Sequence, residues 1–199
     1  MTLRMPIAAL AIVTGLVVFA ACGGSSTPVD EQLAGIVRTP YPDVQLVSLP
    51  DADGVEHNFQ AEDDGLLLVY FGYTSCPDVC PTTMSDVSAA LGLMGDKADK
   101  VQVAMATVDP GRDTGDILEK YVTAFVPDGI ALRTDDATAL KTAADAFGAS
   151  YEVTTTDDGD IEVSHTPYVY VVDDQGQLRD QWNFGTTDDD MAHDMELLL

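Results

Sequence analysis

Two cysteines separated by three residues, Cys76 and Cys80, are the side chains of this sequence best suited to chemistry. They stand in Gly72-Tyr73-Thr74-Ser75-Cys76-Pro77-Asp78-Val79-Cys80-Pro81, directly after the apolar run Leu66–Phe71. That run has the length of a buried strand and is too short for most helices. Pro81 suits the first turn of a helix, and Met84, Val87, Ala90, Leu91 and Met94 continue at helical spacing. The stretch reads strand, loop, two thiols, helix. A helix whose first turn includes Cys80 brings both sulfurs near its positive end, where the dipole favours thiolate. Thiols so placed can close a disulfide or share one soft metal ion, and spacing alone leaves both open.

The elements that must position these thiols follow from hydrophobic periodicity. Val44–Leu49 and Val55–Phe59 flank the turn signal Asp53-Gly54 and read as a hairpin. Leu66–Phe71, Val101–Val108 and Ile130–Leu132 read as strands; Pro81–Met94, Thr114–Phe125 and Asp136–Phe147 read as helices, with Gly148 a suitable C-cap. A second hairpin, Tyr151–Thr154 with Ile161–Val163, precedes the β-prone runs Pro167–Val172 and Leu178–Phe184, and a last helix starts near Thr187. The order predicts an α/β fold, a thioredoxin-like three-layer sandwich. One β-hairpin is added at the N-terminus and another is inserted before the final antiparallel strands.

In such a sheet a site lies beyond the carboxyl ends of the parallel strands. Those ends lead to Cys76 and Cys80 and to Asp109. The strand after Pro167 runs the other way, so its start, with Ser164-His165-Thr166-Pro167, falls on the same edge. Two thiolates and an imidazole suit copper best, whereas structural zinc usually takes a fourth ligand. Asp109 is expected to fix a loop rather than bind metal, and Arg112 and Asp113 to form a local ion pair. Thr166–Pro167 is expected to be trans. His57, His193, Met191 and Met195 receive no role, and Met84, Met94 and Met105 read as core.

The 199 residues suffice for one domain, and 46% are hydrophobic, enough for a real core. Acidic residues number 34 against 9 basic, a net charge of -25. That balance repels nucleic acid and anionic lipid and favours a monomer. Residues 1–21 carry one charge, Arg4, and end in Phe19-Ala20-Ala21 before Cys22. This resembles a bacterial lipoprotein signal peptide, with cleavage before Cys22 and lipid on its sulfur. An uncleaved anchor is the alternative, although the run falls short of the roughly 20 residues that span comfortably. Both readings place the chain on the extracytoplasmic side of the cell membrane. Gly23-Gly24-Ser25-Ser26-Thr27-Pro28 opens a flexible stretch, so residues 22–42 are expected to be a tether with little fixed structure and 43–199 the folded domain.

Taken together, the Gly72–Pro81 motif, then Val108-Asp109-Pro110-Gly111-Arg112-Asp113-Thr114, then Tyr121 and Phe125, then His165-Thr166, resemble the Sco/SenC family of copper chaperones. The likeness spans about residues 40–185. Two departures stand out: Ser164 where the family often has an acidic residue, and Gly115 where it often has proline. The resemblance implies copper, as Cu(I) or Cu(II), held by Cys76, Cys80 and His165. It also implies delivery of copper or reducing equivalents to the dinuclear copper centre in subunit II of cytochrome c oxidase. The copper donor is not identified by it.

Two classes of function follow. One is a metallochaperone, which is not an enzyme. The other is a membrane-tethered thiol–disulfide oxidoreductase in which Cys76 and Cys80 are a redox-active pair. His165 separates them, because metal carriage wants a third donor and thiol exchange needs only the two sulfurs. A thiol peroxidase lacks a supporting motif around the first cysteine.

Overall fold

The computed structural model describes residues 1–2 and 27–199. Cys22 and nearly all of the leader lie outside the described residues. Among the described residues no helix is long and apolar enough to cross a membrane.

The chain enters through the hairpin Ser48–Pro50 (β1) and Glu56–Asn58 (β2). Leu66–Gly72 (β3) follows, and all 7 of its residues are buried. A strand covered on both faces can afford a continuous apolar sequence. Val79–Met94 (α1) leads to Val101–Thr107 (β4), and Gly115–Phe125 (α2) to Ile130–Leu132 (β5). Ala137–Phe147 (α3) ends at Gly148, whose φ of 72° is the left-handed cap that glycine adopts without a Cβ clash. The inserted hairpin Tyr151–Thr155 (β6) and Ile161–His165 (β7) comes next. Val169–Asp173 (β8), Leu178–Trp182 (β9) and Asp188–Leu198 (α4) close the chain.

The central sheet has the order β5-β4-β3-β8-β9. β3, β4 and β5 run parallel, while β8 and β9 are antiparallel. This is the expected thioredoxin-like order with both expected hairpins. Alternation along β3 sorts its side chains between the layers. Tyr70 faces Cys80 and Thr83 of α1. Phe71 turns to the opposite face and packs against Phe147 of α3, ring centroids 5.4 Å apart. α4 lies along α1, and α2 is tied to α1 where the Ser88 hydroxyl donates to the Phe125 carbonyl at 2.7 Å.

Three expectations are corrected. The first strand is shorter than Val44–Leu49, because its beginning is engaged elsewhere: the Val44 amide donates to the Gly176 carbonyl and the Leu178 amide to the Pro42 carbonyl. The stretch assigned to a loose tether is also docked, from about residue 30 onward. The Ala34 and Gly35 amides donate to the buried Asp194 carboxylate, the Ile36 amide to the Gln181 carbonyl, and Arg38 to the Phe147 carbonyl. Backbone amides that find a carboxylate are ordered by it, and a polar, glycine-containing sequence does not reveal the acceptor. Finally, Arg112 pairs with Asp109 rather than Asp113. Thr166–Pro167 is trans; the cis bond among the described residues is Thr39–Pro40.

Candidate metal centre

Cys76, Cys80 and His165 converge, their donor atoms all within 4.8 Å of one another. No other Cys, His, Asp or Glu joins this group among the described residues. Three elements deliver them. β3 ends at Gly72 and hands the chain to the loop carrying Cys76. α1 starts at Val79, two residues before the expected Pro81, and so takes Cys80 into its first turn. β7 ends on His165, whose partner across the hairpin is Tyr151. The inserted hairpin thus places one imidazole beside two sulfurs.

Both cysteines are free thiols, with Cys80 buried and Cys76 half-buried. The Cys80 amide donates to the Cys76 sulfur at 3.2 Å. A helix N-terminus leaves its first amides without partners, and here a sulfur serves one of them in place of the side chain of Asp78, which makes no capping bond. The two thiols therefore differ. Burial pushes Cys76 up, but the Cys80 amide and thiol, the Asp78 amide and the Tyr73 hydroxyl outweigh it, so its net shift is downward. Cys80 is pushed up to about 12, chiefly by burial.

The His165 imidazole is oriented by its surroundings. Its Nδ1 lies 3.2 Å from the Thr166 carbonyl, an acceptor only, so Nδ1 carries the proton. Nε2 is then unprotonated, and it stands at hydrogen-bonding distance from the Cys80 thiol, 3.4 Å. Tyr70 and Tyr73 meet the imidazole edge-on, each with ring centroids 5.8 Å away. Burial lowers the His165 pKa below its ordinary value, which keeps Nε2 available as a donor at neutral pH. Two sulfurs and a neutral imidazole nitrogen are a donor set that fits copper.

The loop beneath is braced by Asp113, which is fully buried. Its carboxylate accepts from the Thr74 amide at 3.0 Å, the Thr74 hydroxyl, and the Thr107 hydroxyl at 2.6 Å. Hydrogen bonds to a charged acceptor are each worth about 1.5–3 kcal/mol, so Asp113 ties the thiol loop to β4. Arg133 completes the brace, donating to the Asp113 and Pro110 carbonyls at 2.8 and 3.0 Å. Asp109 fixes the same turn by accepting from Arg112 and takes no place among the converging donors. The sequence does not reveal this brace. An acid inside a Pro-Gly-Arg-Asp turn gives no hint of which strand it will meet.

An open groove of ≈ 550 Å³ lies beside the thiols, between their loop and the inserted hairpin. Tyr73, Pro77, Arg112, Glu152, Glu162 and Ser164 line it. Ser75 and Pro77, the chain neighbours of Cys76, both line it.

The SCO1/SenC family model matches residues 46–199. The chain belongs to the SCO1/SenC family. Copper-bound ScoI of Bradyrhizobium japonicum superposes with a TM-score of 0.67 and 31% identity, covering 77% of this chain and 97% of that one. Apo Sco1 of Thermus thermophilus gives 0.74 at 29% identity, over 84% of this chain and 97% of that one. An SCO2-like protein of Rickettsia prowazekii is 31% identical over 131 residues, which span 65% of this chain and 63% of that one. The SCO1/SenC resemblance read from the motifs is thus matched over residues 46–199.

Proposed function

We propose that this chain is a copper-binding metallochaperone that delivers copper to the dinuclear copper centre of cytochrome c oxidase subunit II. The observation that carries the reading is the third donor. His165 offers an unprotonated Nε2 to the two sulfurs, and a pure thiol exchanger has no need of it. The copper bound by the related ScoI supports the same reading. Copper is the cargo here. Cys76, Cys80 and His165 hold it; the tyrosines beside His165 limit water; and the adjoining groove admits the thiols of the acceptor. A soft ion can then pass by stepwise ligand exchange, starting at the more exposed Cys76.

Mixing the copper-loaded, reduced chain with reduced, copper-free subunit II soluble domain tests delivery. The expected result is dinuclear-centre absorption in the acceptor and loss of copper from the donor. If the acceptor stays colourless while copper remains with this chain, delivery is refuted.

One observation favours a second reading, a thiol–disulfide oxidoreductase. The pair is asymmetric, with a half-buried thiol shifted down and a buried thiol pushed up to about 12. That is the arrangement of an attacking and a resolving sulfur. Its signature is reduction of an oxidised subunit II by the metal-free chain.

The lipoprotein-type leader supports a place at the cell membrane, anchored through lipid on Cys22 and facing the extracytoplasmic side. Mass spectrometry of the membrane-extracted chain checks the address. Lipid on Cys22 and loss of residues 1–21 are expected, and an intact unlipidated N-terminus rejects it.

A further inference from the structure

Tyr70 is an oddity in an otherwise apolar strand. It is 1% exposed, yet its hydroxyl has no hydrogen-bond partner. Leaving a buried hydroxyl unpaired is unfavourable, and phenylalanine would fill the same space without that penalty. The hydroxyl points toward the metal centre, lying beside the Cys80 sulfur and Thr83. Thr83 donates its own hydroxyl proton to the Val79 carbonyl at 2.9 Å and makes no hydrogen bond to Tyr70.

The ring cannot turn away. It stands edge-on to His165 at an interplanar angle of 79°. It also lies over Gly72, where an added Cβ would come within 2.6 Å of Tyr70 Cε1. Gly72 is therefore the space that the Tyr70 ring occupies. The fold holds a donor beside a sulfur that is a weak acceptor while it carries its proton. An ionised sulfur accepts far more strongly.

We propose that Tyr70 is a positioning residue whose hydroxyl donates a hydrogen bond to the Cys80 sulfur once that sulfur binds copper as a thiolate. The inference rests on the copper reading above. On binding, the Cys80 proton leaves to solvent and the metal takes its place; the phenol keeps its own proton. The new bond stabilises charge on sulfur. It tightens the metal complex and raises the energy needed to move an electron from sulfur to Cu(II).

Tyr70→Phe tests this, with Tyr170→Phe as the comparison. Tyr170 is equally buried and its hydroxyl is equally unpaired. It packs on the opposite face of the sheet, against Phe147 at 5.2 Å between centroids. Three quantities are measured: melting of the metal-free chain, Cu(I) affinity by competition, and the Cu(II)–thiolate absorption band. Neither variant should melt below wild type when metal-free, since each loses only an unpaired hydroxyl. Tyr70→Phe should bind Cu(I) roughly tenfold or more weakly, as expected for a lost bond to a charged acceptor, and its band should move to lower energy. Tyr170→Phe should match wild type in both.

An unmoved band and affinity in Tyr70→Phe overturn the inference. So does a lower melting point of metal-free Tyr70→Phe, which would mean that the hydroxyl serves the fold. Equal changes in both variants overturn it as well. If wild type itself takes up no copper, the copper reading falls first and is identified as the failure.

Discussion

Oxidised protein should take up almost no copper, whereas reduced protein takes up a single ion per chain. The donor atoms of Cys76, Cys80 and His165 lie within 4.8 Å of one another, so a modest shift of the Cys76 loop brings the two sulfurs to bonding distance. Once bonded, neither is a thiolate, and His165 alone remains of the three donors. The measurement is copper retained after desalting, for chains prepared with and without reductant. Equal retention by both forms removes the cysteine pair from the ligand set. The reduced form should also respond to pH with a definite sign. Cys80 is pushed up to about 12 by burial, so at neutral pH it still holds the proton that copper must displace. Each ion bound then releases that proton, and affinity should rise by about tenfold per pH unit from this group alone. Cys76 is shifted downward, so its contribution to the slope ends at a lower pH than that of Cys80. Acid weakens binding throughout.

Much of this site is legible in the sequence because its parts are local. The run Leu66–Phe71 is apolar without interruption, and only a strand covered on both faces tolerates that. The thiols follow it directly, and their helix announces itself by spacing. His165 was placed by topology, since an antiparallel strand must begin where its parallel neighbour ends. What stayed hidden depends on contacts between distant residues. Asp113 reads as a partner for its neighbour Arg112, but its carboxylate accepts from Thr74 and Thr107 instead. Residues 34 and 35 look loose in the sequence because Asp194, their acceptor, lies about 160 residues away. Tyr70 was invisible as a chemical group because a tyrosine suits a buried strand as well as a phenylalanine does. Its period-two relation to Gly72 was the available signal.

His165→Ala should separate the two oxidation states of copper. The variant keeps both sulfurs, and two-coordinate thiolate binding is acceptable to Cu(I), so some Cu(I) should remain. Cu(II) prefers more ligands and nitrogen among them. Loss of an outer-shell partner costs about 10–100-fold in metal affinity; loss of the imidazole ligand itself should exceed the upper end of that range for Cu(II). The metal-free fold has less at stake. His165 is half-buried, pairs with Tyr151 across the hairpin through its backbone, and meets Tyr70 and Tyr73 only by ring edges. Exchange of Cys76 and Cys80 with a small disulfide should continue at a comparable rate and serves as the control for folding. Cu(II) retention is read by absorption, Cu(I) by competition, and function by assembly of the oxidase copper centre in cells carrying the variant. Wild-type Cu(II) retention would remove His165 from the ligand set. Lost copper with normal oxidase assembly would favour the reductase, because reducing equivalents would then be what the oxidase needs. Lost copper with failed assembly and intact thiol exchange would leave metal delivery as the function, since the imidazole serves the metal and not the sulfur chemistry.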